Sequence, residues 1–178
     1  NCYFADLPCE TGWVCDDSTG TPECVEVEWT FMVYMAADNN LGFSSDTFNS
    51  CLTSGYQLDA CLYYSSAAGF DVLEMMYGVE DAGANAARIN IIVLLDESAE
   101  SHAYYPLAPT GITRVLQVKT RNMLDGSPGE ELSVMALNPG NAIYSNNEAD
   151  TSDVETLKKF GEWTMKKYPA KRYALVLW

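Results

Sequence analysis

Trp29-Thr30-Phe31-Met32-Val33-Tyr34-Met35-Ala36 is a nearly unbroken apolar run rich in aromatic and β-branched residues. A strand with one wet face alternates apolar and polar positions; a run without alternation is what a strand covered on both faces requires. It stops at Asp38-Asn39-Asn40-Leu41-Gly42, where short polar side chains and glycine favour a turn. Two further runs have the same character: Ile89-Asn90-Ile91-Ile92-Val93-Leu94-Leu95, ended by Asp96-Glu97-Ser98, and Tyr173-Ala174-Leu175-Val176-Leu177-Trp178.

Helical signals lie between these strands. Phe70, Leu73, Glu74, Met76 and Tyr77 recur at helical spacing, and Gly83 supplies a stop. Ser152 with Glu155 three residues later reads as a capping box, followed by an inward stripe of Val154, Leu157, Phe160, Gly161, Thr164 and Tyr168 up to Pro169. Buried strands alternating with helices predict an α/β fold, a largely parallel sheet flanked by helices. In such sheets ligands bind at the carboxyl ends of the strands. Asp38, Asn39, Asp96 and Trp178 are therefore expected along one edge.

Other stretches are less regular. Residues 44–68 break every period and read as an insertion stapled by Cys51 and Cys61. Ala103-Tyr104-Tyr105 and Ile112–Val118, separated by Pro109-Thr110-Gly111, read as an edge hairpin. Thr120 to Ala149 is rich in Asn, Gly, Ser and Pro and reads mostly as loop.

Four of the six cysteines, Cys2, Cys9, Cys15 and Cys24, crowd residues 1–27 among Gly, Pro, Asp and Thr. So short and polar a segment cannot bury a core, and covalent staples take the place of burial. A small disulfide module is expected there, with first-to-third and second-to-fourth pairing, ahead of the main domain at 28–178. The rival, a zinc site, lacks any C-x2-C knuckle, and the chain has a single histidine, His102. Disulfides on this scale imply an extracellular or cell-surface location. No stretch is long and apolar enough to span a membrane. Asp and Glu number 25 against 10 Lys and Arg, a formal charge of −15. That charge repels nucleic acid and favours basic partners, besides keeping the protein soluble.

Trp29–Leu41, Val72–Met75, Ile89–Asp96 and Tyr168–Trp178, in that order, resemble the opening strand, first helix, second strand and pre-histidine segment of the clostripain family of cysteine peptidases. The resemblance covers 29–178, apart from 44–68, and implies a caspase-like fold. It further implies a His-Gly motif directly after Trp178 and an Asp-x-Cys nucleophile further on, with no catalytic residue in the present chain. A cysteine thiolate would attack the scissile carbonyl, the histidine would assist proton transfer, and backbone N–H groups would hold the oxyanion. The resemblance implies a polypeptide substrate cut after Arg or Lys and a C-terminal segment or chain carrying the dyad. It requires no cofactor, although some family members use calcium. Asp16–Gly20 and Asn146–Asp150 have calcium-loop composition but not the twelve-residue ligand spacing. A non-catalytic surface binding or adhesion protein on a peptidase-like scaffold is the alternative.

Within the chain, Asp38, Asn39 and Asp96 are the expected cleft-lining residues. Their structural alternatives are turn formation for Asp38 and a strand-end turn or helix cap for Asp96. Asp59-Ala60-Cys61-Leu62 imitates the nucleophile motif, but it precedes the second strand and has Cys51 nearby, which favours a disulfide. His102 reads as an exposed surface histidine.

Overall fold

The computed structural model describes residues 9–10, 12–16, 23–37, 44–56, 60–61, 65–97, 113–118, 134–135 and 149–178. The elements are β1 (Trp13–Asp16), β2 (Glu23–Glu26), β3 (Trp29–Ala37), α1 (Ser45–Thr53), α2 (Ala67–Ala82), a 3-10 turn (Gly83–Arg88), β4 (Ile89–Glu97), β5 (Arg114–Gln117), β6 (Val134–Met135), α3 (Val154–Lys167) and β7 (Arg172–Leu177). β1 and β2 pair antiparallel. The other five strands form one sheet in the order β6-β5-β4-β3-β7.

The three apolar runs form the parallel centre of this sheet. β3 lies between β4 and β7 and runs parallel to both, with Trp29 opposite Ile89 on one side and Arg172 on the other. β5 and β6 continue the sheet antiparallel beyond β4. The expected strand within 112–118 is therefore present, and it pairs with β4 and β6. Its predicted hairpin partner, 103–105, lies outside the described residues.

Both faces of β3 and β4 are covered, which is why these two strands show no polar alternation; β7, expected as a third buried strand, is instead the outer strand among the described residues, with its apolar side chains largely exposed. On one face α2 packs Ala68, Val72 and Met76 against Val33, Met35, Val93, Leu95 and Leu116. On the other, α3 packs Phe160 against Met32, Tyr34, Ile92, Leu94 and Val115. A third cluster joins Phe48 of α1 and Cys61 to Leu73 of α2.

The helix signals hold with one correction. α2 is capped by Ser66, whose Oγ accepts the Gly69 N–H at 2.8 Å. It ends at Gly83, whose φ of +53° lies where a Cβ is disfavoured. α3 is capped by Asp153, not Ser152: the Asp153 Oδ1 accepts the Glu155 N–H at 3.0 Å. Ser152 is drawn back instead, donating through its backbone N and its Oγ to Asp150 Oδ1 at 2.9 and 2.6 Å. With the cap one residue later, Val154 is the first helical residue and stands 70% exposed, outside the inward stripe. Phe160 and Thr164 face inward as expected, joined by Thr156.

The described residues of the cysteine-rich start form the β1–β2 hairpin, beside the amino-terminal edge of the sheet. Cys9 and Cys24 are bonded, as the second-to-fourth pairing predicts, whereas Cys2 lies outside the described residues. Gly12, at φ +87°, presents its carbonyl to the Val27 N–H at 2.9 Å. The chain leaving the hairpin then receives the start of β7: Lys171 N–H donates to Val27 O and Arg172 N–H to Glu28 O, both at 3.1 Å. Lys171 Nζ also bridges Glu26 at 2.7 Å and Glu28 at 2.8 Å. Those two carboxylates, Glu26 first, raise the lysine pKa, and Lys171 in turn lowers that of Glu28. All three groups are solvent-facing, so the pairs add little stability.

Candidate functional site

Parallel pairing carries the carboxyl ends of β3, β4 and β7 to one edge. Ala36 lies opposite Asp96, Ala37 opposite Glu97, and Tyr34 opposite Leu177. Asp38 and Asn39 follow directly on Ala37, the last residue of β3, and lie outside the described residues. Asp96 and Trp178 are therefore the described members of the expected edge.

Asp96 is 3% exposed, and both of its carboxylate oxygens are engaged. Oδ1 accepts from Thr113 Oγ1 at 2.7 Å, and Oδ2 accepts from Thr151 Oγ1 at 2.8 Å. The same Thr113 oxygen accepts the Ala149 N–H at 2.8 Å, while the Tyr34 hydroxyl donates to the Thr151 carbonyl at 3.1 Å. The network ties the end of β4 to the approaches of β5 and α3. A buried carboxylate is tolerated because charge-assisted bonds replace its water. Asp96 is thus neither a turn former nor a helix cap; it is a brace at the base of the edge. Sequence reasoning missed Thr113 and Thr151, because a lone threonine before a strand or a helix carries no sign of its distant partner.

Tyr34 sits beside this brace, and its phenol pKa is pushed up to about 12, by burial first and then by the carboxylates of Asp96, Asp150 and Asp153. An unfolded tyrosine ionises near 10. The folded pKa lies above the unfolded one, so this contribution to stability is complete below about pH 10 and is lost as pH rises through about 12. Between those values the urea midpoint is expected to fall more steeply for the parent than for Tyr34→Phe. Equal slopes would count against a suppressed ionisation.

On the α2 face, a groove of about 580 Å³ lies between α2 and β7, floored by Phe31, Val33, Met35 and Ile91, with Asp71 and Trp178 at its rim. β7 borders it as the sheet's outer strand. Leu175, Val176 and Leu177 are 48%, 43% and 66% exposed, and alternate residues of a strand point to opposite faces. Both faces of β7 are apolar near its carboxyl end, the character of an interior strand placed at an edge.

Cys61 is disulfide-bonded to Cys51 and fully buried, so it presents no thiol. Native protein is expected to leave Cys61 unalkylated until a reductant is added; labelling without reductant would remove the disulfide assignment. His102 lies outside the described residues. No cluster of three or more His, Cys, Asp or Glu side chains suited to a metal ion occurs among the described residues. In the Asn146–Asp150 cluster only Ala149 and Asp150 are described. Asp150 Oδ1 is occupied by Ser152, whose hydrogen bonds lower the carboxyl pKa. Among the described residues no helix is long and apolar enough to cross a membrane.

These features define a disulfide-containing α/β domain whose parallel central strands end together at a braced edge. No protein-family model matches the chain, and no curated protein matches it. Among solved structures it is similar to a B. fragilis cysteine protease, at 19% identity and a TM-score of 0.43 over 85% of this chain and 86% of that one.

Proposed function

We propose that the chain is the first part of the catalytic domain of a secreted, clostripain-like cysteine endopeptidase that cleaves after Arg or Lys. The observation that carries the reading is the end of β7: an apolar strand beside the central strand, bare on its outer side among the described residues, leading to the Leu177-Trp178 pair that resembles the family's pre-histidine segment. The His-Gly and Asp-x-Cys elements lie beyond Trp178 in this reading, on a continuing segment or a second chain that pairs along β7. The present chain alone is inactive, and no cofactor is required. Asp38 and Asn39 line the cleft, and the acidic surface favours substrates bearing cations. The disulfides fit an oxidising, extracellular setting.

The test is to express the polypeptide continued past Trp178 and assay it on fluorogenic peptides with Arg, Lys or neutral residues before the scissile bond. Thiol-dependent cleavage after Arg or Lys is expected, abolished when the cysteine of the Asp-x-Cys element is replaced. A continuation without a His-Gly or a nucleophilic cysteine would exclude the peptidase and leave the surface-binding reading.

A further inference from the structure

The carboxyl end of β7 is held by more than its strand pairing. Trp178 donates its backbone N–H to the Tyr34 carbonyl at 2.9 Å, extending the ladder one residue past Leu177. Its indole Nε1–H donates to Asp71 Oδ2 at 2.5 Å, a charge-assisted bond to α2. The ring packs against the cluster containing Val33 and Met35. Trp178 is therefore fixed at two points, one on the sheet and one on a helix.

Among the described residues β7 has a ladder partner on one side only, and three exposed apolar residues precede Trp178. Backbone pairing on one side leaves the end of such a strand prone to local opening. Asp71, in the first turns of α2, closes that freedom through a side chain and not through the ladder. Glu74, one turn further, lines the same groove without bonding Trp178.

We propose that Asp71 is a positioning residue: by holding the Trp178 indole, it sets the place and direction of the residue that follows. The proposal rests on the peptidase reading, in which that next residue is the catalytic histidine. Misplacing a catalytic group by about 1 Å can cost on the order of a hundredfold in rate, so a tether at the preceding residue is a sensitive point of control.

The test has two parts. In the present chain, Asp71→Ala should move the indole N–H resonance of Trp178 and speed hydrogen exchange at the Trp178 amide about tenfold or more, with the Val33 amide unchanged. Glu74→Gln should do neither. In the polypeptide continued past Trp178, Asp71→Ala should lower kcat about tenfold or more at constant KM. Asp71→Asn keeps an acceptor oxygen and should regain most of the loss. Trp178→Phe should cost as much as Asp71→Ala, and the double variant no more than either, because both remove one bond. Unchanged exchange in Asp71→Ala, unchanged kcat, or additive losses would overturn the proposal. A continued polypeptide inactive with Asp71 in place ends the catalytic role along with the peptidase reading. The exchange result on the present chain tells that failure apart from failure of the tether.

Discussion

Replacing Asp96 with alanine is expected to lower the unfolding free energy by about 3 kcal/mol, the difference between two opposed terms. Two hydroxyl bonds to a buried carboxylate are lost, each worth about 1.5–3 kcal/mol when one partner is charged. Against this, the variant no longer dehydrates a charge, which recovers part of the loss. The bonds outweigh that recovery because the Thr113 and Thr151 hydroxyls both lose their acceptor. For a domain of this size, ~3 kcal/mol corresponds to a fall in Tm of about 6–12 °C. Asp96→Asn should cost less, about 1–2 kcal/mol, since its carbonyl still accepts one hydroxyl and the other can rotate. The Asp96 charge also raises the Tyr34 pKa, so tyrosinate absorbance of the alanine variant should appear at lower pH than in the parent. Urea unfolding measures the first effect and alkaline titration the second. A loss below about 1 kcal/mol would mean that the brace is not holding the edge.

Phe160→Ala should be costlier still, about 3–5 kcal/mol, the range for emptying a fully buried phenylalanine site. The ring lies on the α3 face of the sheet against Tyr34, at a centroid separation of 6.0 Å and a tilt of 50°. It is the fully buried large side chain that α3 contributes to the cluster of Met32, Ile92, Leu94 and Val115. The comparison that gives this prediction its force is Val154→Ala in the same helix. Read from the sequence, Val154 belongs to the inward stripe, a position that would make its truncation costly. With the cap at Asp153, Val154 is exposed, and its truncation should stay within about 0.5 kcal/mol. Chemical denaturation of both variants, with unchanged m-values, decides the matter. A costly Val154→Ala would overturn the outward placement of Val154.

The contrast between these residues shows what could be read in advance. β3 and β4 were legible because burial on both faces removes polar alternation, and α2 because its apolar spacing runs up to a glycine at its stop. The start of α3 was misread by one residue, since Ser152 and Asp153 are both good caps and only the pull of Asp150 on Ser152 separates them. The β1–β2 hairpin escaped notice because its strands are four residues long and their cysteines dominate the pattern. At the candidate edge, strand ends and turn residues were visible, but the side-chain ties were not. Asp96 reaches Thr151 across 55 positions and Trp178 reaches Asp71 across 107, distances over which residue spacing carries no signal. The proposed catalytic chemistry rests on resemblance alone, since it is assigned to residues expected beyond Trp178.

The central place of β3 has a consequence for synthesis. β3 emerges from the ribosome well before its neighbour β7, which lies about 140 residues further along the chain. At about 5–20 residues per second, Met32 and Tyr34 wait roughly 7–30 s for that flank to be closed. Such non-local pairing slows folding and leaves apolar backbone edges open meanwhile. During that interval the hairpin closed by Cys9 and Cys24, which shares Val27 and Glu28 with the start of the β7 pairing, can already be oxidised and in place. A staple made first would then mark where β7 must begin.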